Sequence, residues 1–153
     1  GAKQFNQPLN NWNTSKVEKM SLMFNRARNF NQPLNDWDTR NVKDMGLMFK
    51  YAKSFNQPLD KWDTRKVEDM TWMFLDARKF NQPLNSWVVN CNTTNREIFK
   101  NAISFDIKSN TKWYWKPKLN EGCETDPNNI NNEMDDEMFD DIAEKFSNLD
   151  GDY

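Results

Sequence analysis

The phrase Phe-Asn-Gln-Pro-Leu recurs at a fixed step of 25 residues, starting at Phe5, Phe30, Phe55 and Phe80. A unit this short cannot bury its own apolar face, so an uninterrupted period of this length calls for units stacked one on the next. Superposing the copies separates two kinds of position. Phe5/Phe30/Phe55/Phe80/Phe105, Leu9/Leu34/Leu59/Leu84, Trp12/Trp37/Trp62/Trp87, Met20/Met45/Met70, Phe24/Phe49/Phe74/Phe99 and Ala27/Ala52/Ala77/Ala102 are apolar throughout, while the intervening positions vary among Asn, Lys, Arg, Asp and Ser. The repeating columns are the expected core and the variable ones the surface.

Within a unit, Val17, Met20, Met23, Phe24 and Ala27 fall at i, i+3, i+6, i+7 and i+10, which predicts an amphipathic helix over residues 16–28. Thr14, Thr39 and Thr64 are the general cap for its start, and Ser15 with Glu18 has capping-box spacing in the first copy. The Asn-Gln-Pro-Leu stretch reads as a short extended segment, interrupted as a ladder at Pro8, Pro33, Pro58 and Pro83. Asn6, Asn31, Asn56 and Asn81 are expected to form an amide ladder between units, because buried turns leave backbone groups to be paired.

The unit Phe-Asn-Gln-Pro-Leu-x-x-Trp-Asp-Thr-x-x-Val-x-x-Met-x-x-Met-Phe-x-x-Ala, running from residue 5 to 105, resembles the repeat of the BspA-like leucine-rich-repeat surface proteins, also called DUF285 or mycoplasma lipoprotein repeats. The resemblance implies an α/β fold, a right-handed leucine-rich-repeat-like solenoid of 25-residue units. It also implies adhesion or another protein contact at an extracellular or cell surface, with no enzymatic activity. It carries no site residues, since the surface positions are the variable ones.

Two domains are expected: a repeat solenoid over 1–105, whose fourth unit is degenerate, and a C-terminal cap over 106–153 with an acidic amphipathic helix. In the fourth copy Val88-Val89-Asn90-Cys91 follows Trp87, and Asn92 and Asn95 stand where other copies have Val and Met. Terminal repeats lose the stacking code in this way. The cluster Trp113-Tyr114-Trp115 reads as a lid on the last unit. Ahead of Phe5 there is only Gly1-Ala2-Lys3-Gln4, so the first unit is expected to lack a lid and the chain to be a piece of a longer repeat protein. No stretch is apolar enough for a membrane span.

There is no His, which removes Ser-His and Cys-His catalysis and ordinary zinc sites; no catalytic residue, cofactor site or metal site is assigned. The Asp126 to Asn132 stretch lacks the Gly that a calcium loop of the EF-hand type requires. Cys91 and Cys123 either join the last unit to the cap or stand as two separate thiols.

Charge divides unevenly. Residues 1–105 carry 16 Lys and Arg against 10 Asp and Glu, a net of +6, whereas residues 106–153 carry 5 against 13, a net of −8. Lys3, Arg28, Lys53 and Arg78 share one column, and stacking would line them up as a row of like charges. The row is either a solvated rim or a strip for an acidic protein partner; interleaved Asp36, Asp38, Asp44, Asp63 and Asp69 argue against nucleic acid. Trp72 stands in a column otherwise held by Leu22, Leu47 and Glu97, a position that tolerates polarity and makes it the candidate exposed anchor. In the acidic tail, Met134, Met138, Phe139, Ile142, Phe146 and Leu149 form an apolar stripe. Met138, Phe139, Ile142 and Phe146 are its recognition candidates, either packed on the last unit or docked in trans. Self-association through the array ends or this tail follows from the same reading. The function expected is a non-enzymatic protein-interaction module, with a glycan-binding module or an architectural spacer as alternatives.

Overall fold

The structure is a computed structural model that describes residues 2–113. The expected acidic helix, with Met138, Phe139, Ile142 and Phe146, lies outside the described residues, as do Tyr114, Trp115 and Cys123.

Successive units lie side by side in register. Parallel bridges join Lys19 to Asp44, Asp44 to Asp69 and Asp69 to Thr94. From each bridge, alternate residues donate their backbone N–H to the following unit. Met20, Leu22, Phe24 and Arg26 donate to the carbonyls of Asp44, Gly46, Met48 and Lys50. Met45, Leu47, Phe49 and Tyr51 repeat the pattern to Asp69, Thr71, Met73 and Leu75, and Met70, Trp72, Phe74 and Asp76 repeat it to Thr94, Arg96, Ile98 and Lys100.

This ladder replaces the expected helix over residues 16–28. The amides in between close tight turns within the unit, Met23 to Met20, Asn25 to Leu22 and Ala27 to Phe24, instead of reaching four residues back. The cause lies in the backbone: Leu22 and Arg26 have φ of 63° and 62°, and their counterparts Leu47, Tyr51, Trp72, Asp76, Glu97 and Asn101 have φ between 48° and 61°. Two left-handed residues four apart turn alternate N–H groups away from their own unit, and no right-handed helix survives that. Each such residue costs about 1–2 kcal/mol, and the cost is offset by the inter-unit hydrogen bonds and by the core that register creates. The apolar spacing that suggested a helix serves this spiral equally well, since it too brings Met20, Phe24 and Ala27 to one side. Among the described residues the one α-helix is α1, Ile107–Asn110, capped by the Asp106 carboxylate.

The core consists of side-chain columns. Phe30, Phe55 and Phe80 stack on their neighbours at centroid spacings of 5.5 to 6.0 Å, and Phe24, Phe49, Phe74 and Phe99 form a second column at 5.4 to 5.7 Å. The columns interlock at 4.1 Å, as in Phe49 against Phe55. Trp37, Trp62 and Trp87 are buried, and each indole N–H donates to the Leu carbonyl of the preceding unit: Leu9, Leu34 and Leu59. Trp113 continues this ladder to Leu84, so the repeat register runs past Phe105 and the indole fills the fifth rung of the column rather than lying across it as a lid. Its spacing of 26 from Trp87 accommodates the extra residue of the α1 turn.

Side chains stitch the turns. Asn6, Asn31, Asn56 and Asn81 accept through Oδ1 from the backbone N–H of Asn31, Asn56, Asn81 and Asp106. At the Asn-Gln-Pro-Leu segment the link between units is thus made by amide side chains, which spares the prolines from donating; the parallel bridges lie elsewhere, just ahead of Met20. Thr14, Thr39 and Thr64 are buried, and each hydroxyl donates to a backbone carbonyl of the next unit, that of Asp38, Asp63 or Val88. They fasten units together rather than cap helices. Glu18, the expected capping-box partner, pairs with Lys43 across the interface. In the fourth copy, where Val89 stands in the Thr column, Thr93 is buried and its hydroxyl donates to the Val67 carbonyl of the third unit.

The residue before each Thr shapes the turn: Asn13, Asp38 and Asp63 accept the backbone N–H two residues on. The Arg65 side chain bonds to Asp63 as well, and this hydrogen bond, foremost, holds the Asp63 carboxyl at about 2, well below the usual carboxylate value. Because the folded value is depressed, the pair's contribution is intact above about pH 4 and fades as pH falls towards 2. Asp63→Asn keeps the turn, as Asn13 does in the first unit. It should cost under about 1 kcal/mol near neutrality and flatten the loss of stability between about pH 4 and 2 in urea melts.

Candidate interaction surface

The left-handed positions that rule out a helix also push a line of side chains outward. Leu22 is exposed, Leu47 and Trp72 half-buried, and Tyr51 half-buried beside them. Cations lie over the rings: Arg26 is 5.7 Å and Lys50 5.3 Å from the Tyr51 ring centroid, and Lys50 lies 5.0 Å from that of Trp72. The Trp72 indole N–H donates to Glu97 at 2.9 Å, and Lys100 pairs with the same carboxylate. The Lys100 hydrogen bond, first, and the Trp72 hydrogen bond hold the Glu97 carboxyl below its usual value. A continuous chain of contacts therefore runs Arg26, Tyr51, Lys50, Trp72, Glu97, Lys100 across four units.

The basic column adjoins this strip. Asp76, in the same column as Tyr51, is buried and takes Lys53 at 3.8 Å and Arg78 at 3.0 Å. The expected row of like charges is therefore interrupted: Asp76 compensates Lys53 and Arg78, whereas Lys3 and Arg28 are exposed and form no ion pair among the described residues. Trp72 is placed at the surface, though held by Lys50 and Glu97 rather than protruding. The strip and the basic column together present Lys3, Arg26, Arg28, Lys50, Lys53, Arg78 and Lys100 against two carboxylates, Asp76 and Glu97.

Sequence reasoning assigned Trp72 and the basic column but missed Arg26, Lys50, Tyr51 and Asp76. The signal was present in the column Arg26/Tyr51/Asp76/Asn101, whose Asp and Asn are residues that tolerate positive φ. Among the described residues no group of His, Cys, Asp and Glu is arranged to hold a metal ion. No helix among them is long and apolar enough to cross a membrane.

The family profile described as "Mycoplasma protein of unknown function, DUF285" matches residues 1–113. No curated protein and no solved structure matches the chain.

Proposed function

The chain belongs to the DUF285 family, and from that premise we propose that its repeats form a right-handed leucine-rich-repeat-like solenoid acting as a non-enzymatic protein-interaction module, with the Tyr51–Trp72 strip and its cations facing an acidic partner. The observation that carries this reading is the division within each unit: inward columns repeat in kind, while the outward columns at 22 and 26 and their counterparts change from copy to copy beside a column at 28 that stays basic from Lys3 to Arg78. A scaffold held by backbone and core is free to vary what it displays. The BspA-like resemblance adds adhesion at a cell surface. A glycan-binding module would use stacked indoles, and Trp37, Trp62 and Trp87 are turned inward.

The test uses an immobilised poly-glutamate peptide as an acidic probe. Wild-type protein should be retained and should elute as salt rises. Arg28→Ser, Lys53→Ser and Arg78→Ser together, made with Asp76→Asn so that no buried carboxylate is left unpaired, should weaken retention by about tenfold or more, and Trp72→Ala by a similar factor, with near-ultraviolet circular dichroism unchanged. Equal retention of the variants would contradict the proposal, and so would capture of the wild type by a glycan array but not by the acidic probe.

A further inference from the structure

Asp76 shows what the outward column of Arg26, Tyr51, Asp76 and Asn101 can hold. Its buried carboxylate takes Arg78 of its own unit at 3.0 Å and Lys53 of the preceding unit at 3.8 Å. The units repeat in register, so one unit earlier the same place belongs to Tyr51, with Lys53 from its own unit and Arg28 from the preceding one. Two further cations meet there, since Arg26 lies 5.7 Å and Lys50 5.3 Å from the Tyr51 ring centroid. No ion pair among the described residues engages Arg26, Arg28 or Lys50, and Lys53 is shared with Asp76. The place is interior to the array: Tyr51 meets the first unit through Arg26, and Lys50 meets the third through Trp72. A phenol thus stands where a carboxylate stands one unit on, among more cations than that carboxylate meets.

We propose that this junction receives a phosphate monoester carried by the acidic partner. The inference rests on the reading of the strip as a surface for an acidic protein, and adds which anionic group is taken. A carboxylate brings one charge, and two cations match it at Asp76. Around Tyr51 the cations Arg26, Arg28 and Lys50 are all unmatched, and a phosphate monoester brings about −1.5 to −2 near neutrality. Like charges gathered at one ring repel one another in the free protein, so a dianion relieves more of that cost than a carboxylate does. Its terminal oxygens accept two parallel bonds from a guanidinium fork, and the Tyr51 hydroxyl supplies another donor. A phosphodiester, with a single charge, matches no better than a carboxylate, which disfavours nucleic acid.

The experiment titrates two fluorescent peptides with the 153-residue protein and reads anisotropy: poly-glutamate carrying one central phosphoserine, and the same peptide with glutamate there. The phosphopeptide should bind about tenfold or more tightly, and the difference should shrink below about pH 6, where the phosphate loses its second charge. Tyr51→Asp copies the third unit and sets an internal carboxylate among the cations; it should reduce the preference to about twofold or less. Tyr51→Asn has the same shape without the charge, as Asn101 has in the fourth unit, and should keep a preference of about fivefold or more. Both residues tolerate the left-handed φ of 59° at this position, and near-ultraviolet circular dichroism of the tryptophans shows that each variant is folded. If the glutamate peptide binds and phosphoserine adds nothing, or if Tyr51→Asp keeps the full preference, the proposal is overturned while the acidic-partner reading stands. If neither peptide binds, that reading falls and the proposal with it.

Discussion

Phe49→Ala should destabilise the protein by about 3–5 kcal/mol and lower its melting midpoint by on the order of 15 °C. Phe49 is fully buried at the crossing of both aromatic columns, with Phe24 at 5.5 Å, Phe74 at 5.4 Å and Phe55 at 4.1 Å. Truncation loses the transfer free energy of the ring and leaves a cavity whose walls are themselves columns. Those walls cannot close in without breaking register above and below, so the cost falls at the upper part of the range. Trp12→Ala is the internal comparison. That indole stacks on Trp37 on one face only and is more than half exposed, so its loss should cost about 1 kcal/mol or less. Urea unfolding followed by tryptophan fluorescence and by near-ultraviolet circular dichroism checks both values; equal costs at the two sites would contradict the placement of the core.

A backbone change should be equally severe. Leu47 has φ of 61° and donates its N–H to the Thr71 carbonyl at 2.9 Å. Proline has no N–H and holds φ near −65°, so Leu47→Pro removes a rung and forces the turn into another conformation, at about 3 kcal/mol or more. Asparagine tolerates the left-handed region, and Asn101 occupies it in the fourth unit. Leu47→Asn should therefore shift stability by about 1 kcal/mol or less. If the segment were instead a helix, Leu47→Pro would still be the costlier change and Leu47→Asn would lower stability by the propensity difference, under about 0.7 kcal/mol. Thermal melts separate the two backbones by the sign of the Asn shift, which is neutral or stabilising where φ is left-handed.

What the sequence disclosed was the list of inward positions. Trp37, Phe49 and Met70 sit where the period put them, because one residue type per column is a demand only close packing makes. The amide ladder from Asn6 to Asn81 was legible for a similar reason: a polar residue kept at one phase needs a partner at the same phase. The path of the backbone between Val17 and Ala27 was not. Leu, Met and Ala favour a helix locally, and the one hint of a positive φ is Asp76 and Asn101 in the later copies of the Arg26 column; register between units overrides local preference. The lateral strip was legible in part. Trp72 stood out by its column, but the contacts of Lys50 with Tyr51 and Trp72 cross the unit boundary and depend on the same unforeseen turn. The place of Trp113 in the indole ladder is hidden in the sequence because α1 shifts it by one residue from the period.

The claim on which everything rests is that alternate amides of one unit bond to carbonyls of the next. Scalar couplings across hydrogen bonds, recorded by nuclear magnetic resonance between amide nitrogen and carbonyl carbon, test it bond by bond. The expected cross-peaks join Met45 to Asp69, Leu47 to Thr71 and Phe49 to Met73. Couplings from these same amides to carbonyls four residues earlier in their own unit would mean a helix, and would contradict the account.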